Sequence, residues 1–236
     1  MAVSMLQVAR DCLGISGRIS MRHHIFGYIY GPPNKPYSLK LQLDRAKGRA
    51  FNFSAILVGH RDDFSGTISR ADVTRITYAI QRTRELYDQV NLGIRRVYWT
   101  YIPEDDVGSY TIITDADEAK NLTEDWSADN NGIDVFFVQS ILNASGWSTK
   151  GGPCDKSDKG FSGAVVELVG GDEITGIVTA HEVGHYLGLG TGPNSNNVMG
   201  IDSNNDGIDE IGLGSVNLTS GQGSTMRSHC STRGSC

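Results

Sequence analysis

The chain has 236 residues, enough to bury a full hydrophobic core as one domain or as one domain with an appendage. Its formal net charge of −6 argues against nucleic acid as the main partner, because phosphate binding requires a basic face. No apolar run is long enough to span a membrane, so we expect no membrane span.

Four cysteines, Cys12, Cys154, Cys230 and Cys236, are scattered along the chain and form no C-x-x-C pair. An even number fits disulfides, with the pairing left open; buried free thiols are the alternative. The opening stretch MAVSMLQVARDCLG lacks the continuous apolar run of a signal peptide. The chain is therefore expected to be either cytosolic or a mature secreted form with an added methionine, and we favour an extracellular monomer.

The first elements are predicted as follows. Residues 1–49 contain YGPPNKPY, which breaks regular structure, and are expected to form an N-terminal extension or a peripheral hairpin. The main domain is predicted to open at Ala50 with a strand in RAFNFSAILVG. Ser69 precedes Asp72 by three residues, a variant capping box, and predicts a helix that runs to about Val90.

Further along, IRRVYWTYIP alternates and predicts a strand, and DADEAKNLTEDW predicts a short helix that ends near Trp126. The apolar run IDVFFVQSI is typical of a central strand, and SGAVVELVG predicts another. A helix follows in GDEITGIVTAHEVGHYLGLG and is expected to end at Gly188; the rest is rich in Gly, Asn, Ser and Asp. This order predicts an α+β fold: a mixed twisted β-sheet, two long helices on one face, and an irregular C-terminal subdomain.

The last of these helices carries a metal-binding spacing. His181 and His185 lie four residues apart, so they project from one face of a helix, and Glu182 points about 100° away. Two imidazoles at this spacing can hold Zn²⁺, while the carboxylate takes a proton from a metal-activated water. H-E-x-x-H arises by chance in a chain of this length about 1% of the time. Two surface histidines beside an ordinary glutamate are the alternative.

The stretch HEVGHYLGLGT, followed by NNVMG, resembles the metzincin metallopeptidases, whose signature is H-E-x-x-H-x-x-G-x-x-H with a downstream Met-turn. The resemblance implies a zinc-dependent endopeptidase with Glu182 as the general base and His181 and His185 as zinc ligands. It places Met199 in the Met-turn; an ordinary core methionine is the alternative.

The resemblance also implies an arrangement of the main domain, 50–236. An upper subdomain, 50–190, would carry the active-site helix, and a lower subdomain, 191–236, would carry the Met-turn. A peptide or protein substrate is expected to lie extended in the cleft between them, antiparallel to an edge strand, for which SGAVVELV is the candidate.

The chain departs from the signature at Thr191, which occupies the position of the third histidine. A neutral hydroxyl is a poor ligand for Zn²⁺. The site could hold zinc weakly with extra waters, or Asp202 or His229 could replace the missing ligand. Otherwise catalysis is lost and the domain only binds peptides or a partner protein. A non-peptidic metal hydrolase is disfavoured, because the chain has no phosphate loop or nucleophile elbow.

A second metal site is predicted in DSNNDGIDE, which reproduces the first half of an EF-hand-type calcium loop. The twelfth position is Leu213, so the usual bidentate acid is missing, and a plain turn without an ion is the alternative. The candidate calcium ligands are Asp202, Asn204, Asp206, the Ile208 carbonyl, Asp209 and Glu210.

Overall fold

The computed structural model describes residues 48–168 and 170–234. Almost all of the predicted N-terminal extension, together with Cys12 and Cys236, lies outside these residues. In chain order the elements are β1 (Arg49–His60), α1 (Arg70–Asp88), β2 (Leu92–Pro103), β3 (Ile112–Ile113), α2 (Ala116–Trp126), β4 (Gly132–Val138), β5 (Ser140–Ile141), β6 (Gly146–Ser148), a 3-10 turn (Lys159–Phe161), β7 (Ala164–Glu167), α3 (Asp172–Tyr186) and α4 (Ser220–Ser228).

Five of these strands form the main sheet, in the order β2-β1-β4-β7-β6. The first four run parallel, and β6 runs antiparallel to β7. Strands β3 and β5 pair separately as a short parallel ribbon. The predicted α+β fold with a mixed sheet and two long helices is confirmed.

The edge of this sheet is not the strand that the sequence indicated. SGAVVELV contains β7, which lies between β4 and β6 and has both sides paired, so its prediction as the edge strand is wrong. The edge strand next to β7 is β6, Gly146–Ser148, and β2 is the edge strand on the other side of the sheet. A strand of three residues is too short to show the alternation by which strands are recognised, so β6 has no recognisable sequence pattern.

Both faces of the sheet are covered. Along β1, Phe53, Ala55 and Leu57 point to the core under α1 and α3, whereas Ile56 and Val58 point to a second core that includes residues of α2. This alternation follows from the two-residue period of a strand. Parallel strands buried on both faces are apolar throughout, which is why β4 was recognisable as central.

Helices α1 and α3 are tied to each other by polar contacts as well as by the core. α1 begins at the predicted capping box, in which Ser69 Oγ accepts from Asp72 N and the Asp72 carboxylate accepts from Ser69 N. Near the start of α3, Glu173 binds Arg82 at 2.8 Å. The buried Tyr87 hydroxyl donates to the Ala180 carbonyl at 2.6 Å, one residue before the histidine motif.

The C-terminal segment is more regular than its composition indicated. Thr219 caps α4 through a capping box with Gln222, and α4 buries Gly223 and Met226. These few apolar contacts leave almost no helical periodicity in the sequence, so the helix was not predicted. A Cys154–Cys230 disulfide joins the segment to the loop before β7.

After the disulfide, the chain returns to the first strand. Arg233 pairs with Ala50, through Ala50 N to Arg233 O at 3.0 Å and Arg233 N to Ala50 O at 2.8 Å. Within the described part of the chain, none of the helices has the length and apolarity needed to cross a membrane.

Candidate metal centre

The histidine motif lies in the last two turns of α3, a helix that is buried along most of its length. Gly188, with φ of +97°, turns the chain immediately after the helix, a conformation that costs an L-residue energy. The turn places the Leu189 carbonyl 3.0 Å from His185 Nδ1. The local sequence therefore fixes one histidine ring through its own helix end.

Both imidazole rings are oriented in the same way. His181 Nδ1 lies 3.0 Å from the Val198 carbonyl, and His185 Nδ1 lies 3.0 Å from the Leu189 carbonyl. A carbonyl oxygen only accepts, so each Nδ1 carries a hydrogen, and in the neutral form of each ring Nε2 presents a lone pair. Burial, followed by the charge of His185, lowers the pKa of His181 to about 4, which keeps this ring neutral. The two Nε2 atoms lie 3.0 Å apart.

A carboxylate completes the group. Asp209 Oδ2 lies 3.4 Å from His185 Nε2 and 3.9 Å from His181 Nε2. All three atoms are acceptors, and the Asp209 side chain is only 9% exposed, so a cation would satisfy lone pairs that otherwise face each other. Ligand atoms about 2.0–2.1 Å from a tetrahedral Zn²⁺ lie about 3.3 Å apart. Donor type, orientation and separation therefore fit zinc.

Glu182 lies beside this group rather than in it. Its Oε1 is 4.0 Å from His181 Nε2, and the residue is buried. Burial raises the pKa of Glu182 to about 8, and the Asp209 carboxylate adds to the rise. The side chain packs against Gly146 of β6 so closely that a Cβ there would lie 2.3 Å from Oε1. The edge strand therefore has a glycine where the glutamate needs the space.

The group opens into a cleft of about 770 Å³, within the range of small-molecule and peptide sites. Two segments contribute most of its lining: residues 143–148, which include the strand β6, and residues 207–211. His181, Glu182 and His185 also line the cleft.

Met199 lies beneath the motif. It is fully buried, and a Cβ on Gly184 of α3 would come within 2.6 Å of its Sδ. Its backbone N–H donates to Asn197 Oδ1 at 3.0 Å, and the neighbouring Val198 carbonyl orients His181. The turn around Met199 thus supports the ring of one histidine.

The structure does not bring the three expected third ligands to the histidines. Thr191 is exposed in a bend and lies outside the residues that line the cleft. Asp202 accepts from the backbone N–H groups of Asp206 and Gly207 within its own loop. His229 bonds the Gly152 carbonyl at 3.1 Å, next to the disulfide.

Asp209 occupies that place instead, although the sequence indicated it only as a calcium ligand. No fixed spacing from the H-E-x-x-H motif identifies it, because the loop that carries it returns to the helix through tertiary contacts. The available signal was an acidic residue in the segment after the motif, and the chain has four of these between 202 and 210.

The other predicted calcium ligands bond to their own loop. Asp206 Oδ1 accepts from Ile208 N, and Asn204 Nδ2 donates to Asp206 Oδ2. Glu210 accepts from Ser203 N and Oγ at 3.0 and 2.7 Å. Asp209 is the only residue of this loop that belongs to a side-chain cluster able to hold a metal among the described residues, and that cluster is the one with His181 and His185. The structure therefore gives no support to a calcium site.

Comparisons with known proteins identify no family: no family model and no curated protein matches the chain. Among solved structures, an archaemetzincin from Methanopyrus kandleri matches with 17% identity and a TM-score of 0.47, over 75% of this chain and 94% of that chain. Metalloproteinase-II from Bacteroides fragilis matches with 13% identity and a TM-score of 0.49, over 77% of this chain and 53% of that chain.

A chain from the structure of a chaperone–substrate complex matches with 16% identity and a TM-score of 0.47, over 75% of this chain. The match spans 33% of that chain, about a third of its length. Because the identities and TM-scores are this low, the chemistry of the site is inferred from its own residues alone.

Proposed function

We propose that the protein is a zinc-dependent endopeptidase in which His181, His185 and Asp209 hold the ion and Glu182 is the general base. One observation carries the proposal. Three buried or half-buried acceptor atoms converge at 3.0, 3.4 and 3.9 Å, and both histidines have their hydrogens committed to backbone carbonyls. Nitrogen and carboxylate donors in such a set are those of catalytic zinc sites, in which the fourth position stays open.

Zinc at this position would act as a Lewis acid that polarises a peptide carbonyl and makes a water molecule more acidic. The protein's own contribution begins with ring orientation. The Val198 and Leu189 carbonyls hold the two imidazoles in the tautomer that has its lone pair at Nε2. Such contacts to the outer nitrogen raise ligand basicity, and their loss typically weakens metal binding about 10- to 100-fold.

Glu182 is the group that moves the proton. Its carboxylate lines the cleft beside the histidines without being one of the three donors, so it can accept a proton from water and deliver it to the leaving amine. Accepting the proton requires the ionised form. Burial and Asp209 raise the pKa of Glu182, whereas a neighbouring cation would lower it. The Glu182 carboxylate can therefore accept a proton and release it again within one reaction cycle.

We propose that a peptide or protein substrate binds as an added antiparallel strand along β6. This strand is one of the two edge strands of the main sheet, and it lines the cleft through Gly146, Trp147 and Ser148. An unpaired strand edge offers backbone donors and acceptors that an extended peptide can bind independently of its side chains. The position next to Glu182 would bring a peptide bond within reach of the carboxylate.

The Cys154–Cys230 disulfide supports an oxidising compartment, since such bonds are rare in the reducing cytosol. We therefore propose an extracellular location. A monomeric state is a separate part of the proposal.

The decisive variant is Asp209→Asn, with Asp206→Asn in the same loop as the matched control. Competitive titration against a chelator should show zinc binding weakened at least about 10-fold by the first change and little altered by the second. Equal affinities for both variants and the parent would remove Asp209 from the site.

The enzymatic part is tested with Glu182→Gln on a mixed peptide library. The variant should keep its zinc and lose cleavage, because the carboxylate is not a ligand, and a chelator should abolish cleavage by the parent. A parent that binds zinc and retains peptides uncleaved would instead support the alternative of a peptide-binding module.

A further inference from the structure

A second cluster of metal-binding atoms lies at the disulfide. Cys154 belongs to the loop before β7 and Cys230 follows α4, and their Cα atoms are 5.6 Å apart. His229 precedes the second cysteine. One ligand atom from each of these three residues lies within 4.8 Å of the others, and both cysteines are exposed. The disulfide thus brings together two sulfurs and an imidazole that reagents in solvent can reach.

The ring of His229 is also oriented by a backbone carbonyl, but through Nε2 instead of Nδ1. Its Nε2 lies 3.1 Å from the Gly152 carbonyl, which only accepts, so Nε2 carries the hydrogen. The lone pair is then at Nδ1, where the Ser231 N–H at 3.2 Å is its donor. A backbone carbonyl on the outer nitrogen is the usual support of a metal-binding histidine. One long hydrogen bond is all that a metal would have to replace.

We propose that Cys154, His229 and Cys230 bind a second zinc ion when their disulfide is reduced. A thiol reductant supplies two electrons and two protons: the S–S bond breaks, two cysteine thiols form, and the reductant becomes a disulfide. Zn²⁺ then displaces both thiol protons and binds the thiolates and the imidazole. Ligand atoms in a tetrahedral zinc site of this type lie about 3.4–3.8 Å apart, within the 4.8 Å separation that spans the cluster.

The metal would preserve the clamp that the disulfide provides. Gly151 N and Gly152 N donate to the His185 and Tyr186 carbonyls, both at 2.9 Å, and Tyr186 Oη donates to the Pro153 carbonyl at 2.6 Å. The loop joined to Cys230 is therefore also the loop that satisfies the end of α3. A zinc ion in place of the S–S bond would hold the same two segments together under reducing conditions.

The test uses Co²⁺ as a spectroscopic probe on the reduced full-length protein. Thiolate ligands give a near-ultraviolet charge-transfer band, whereas the first centre, with imidazole and carboxylate donors, gives none. Reduction followed by Co²⁺ should produce this band, and Zn²⁺ should bleach it by displacement. The oxidised protein should bind Co²⁺ without the band. This readout does not depend on the proposed peptidase activity.

Two variants assign the band. His229→Ala keeps every cysteine, and its fold can be checked in the oxidised state; it should weaken the band-forming affinity at least about 10-fold. Cys154→Ser with Cys230→Ser should abolish the band. No band in the reduced parent, equal affinity in His229→Ala, or a band that survives in the double variant through other thiols would each overturn the proposal.

Discussion

Gly146→Ala should disable catalysis without touching a metal donor. A Cβ at this position would lie 2.3 Å from Glu182 Oε1 and 2.6 Å from its Cδ and Cγ, whereas ordinary contact begins at 3.4 Å. The shortfall is 0.8 to 1.1 Å (3.4 − 2.6 and 3.4 − 2.3 Å). Because Cγ is affected as well as the tip, a rotation of the carboxylate alone cannot relieve the clash, and the whole side chain must withdraw.

The expected loss follows from that distance. A misplacement of about 1 Å at a catalytic group costs about 100-fold in rate, equivalent to about 2.7 kcal/mol of transition-state stabilisation. Zinc affinity should stay close to that of the parent, since Glu182 is not among the three donors. A variant that binds zinc normally but does not turn over substrate has a displaced Glu182, whereas a misfolded variant would lose both properties.

The assay compares kcat/KM on a peptide substrate, zinc affinity and thermal unfolding. Gly212→Ala is the matched control: this glycine follows Ile211, which lines the cleft, and a Cβ there would meet nothing within 4 Å. The control should retain parental activity. A folded Gly146→Ala protein with parental kcat/KM would refute the positioning of Glu182 by the edge strand, and so would an equal loss in both variants.

Three further changes test the surroundings of the site. Tyr87→Phe removes the hydroxyl that donates to Ala180, and should lower the free energy of unfolding in urea by about 1 kcal/mol; an unchanged midpoint and slope would contradict this. Burial, followed by the hydrogen bond to Glu173, raises the pKa of Tyr78 to about 12, above the usual 10, so the folded state holds this proton more tightly and stability should fall as pH rises from 10 to 12. Tyr78→Phe should make that fall shallower, and an unaltered pH profile would exclude the contribution. Thr191→His should leave zinc affinity unchanged in a chelator titration, because residue 191 is exposed outside the cleft; a tightened site would mean that it does approach the metal.

The elements that could be read from the sequence are those with long, consistent patterns. α1 has its capping box and periodic apolar face, and β4 is apolar apart from Asp134, so local chemistry identifies both. β6 and α4 could not be recognised in this way. The first is three residues long, and the second packs through Gly223 and Met226. Their positions are decided by partners that are distant in the chain.

The residues of the candidate site also differ in whether local sequence can predict their position. His181, Glu182 and His185 share one helix, so helix geometry alone brings them to one place. Asp209 and Gly146 reach that place only through the fold, the first on a loop and the second on a strand edge. A motif spacing can predict what one helix presents, but it carries no information about which loop faces it.

The three donors of the proposed centre lie on elements of different stability, and this affects how the metal is released. Two donors stand on a buried helix, which opens only when the core does, whereas the third belongs to a surface loop. That loop is held by its own contacts, such as those of Glu210 with Ser203. Local opening of a surface loop requires much less free energy than global unfolding. Metal exchange should therefore follow the opening rate of this loop, and an ion could leave and return while the rest of the domain stays folded.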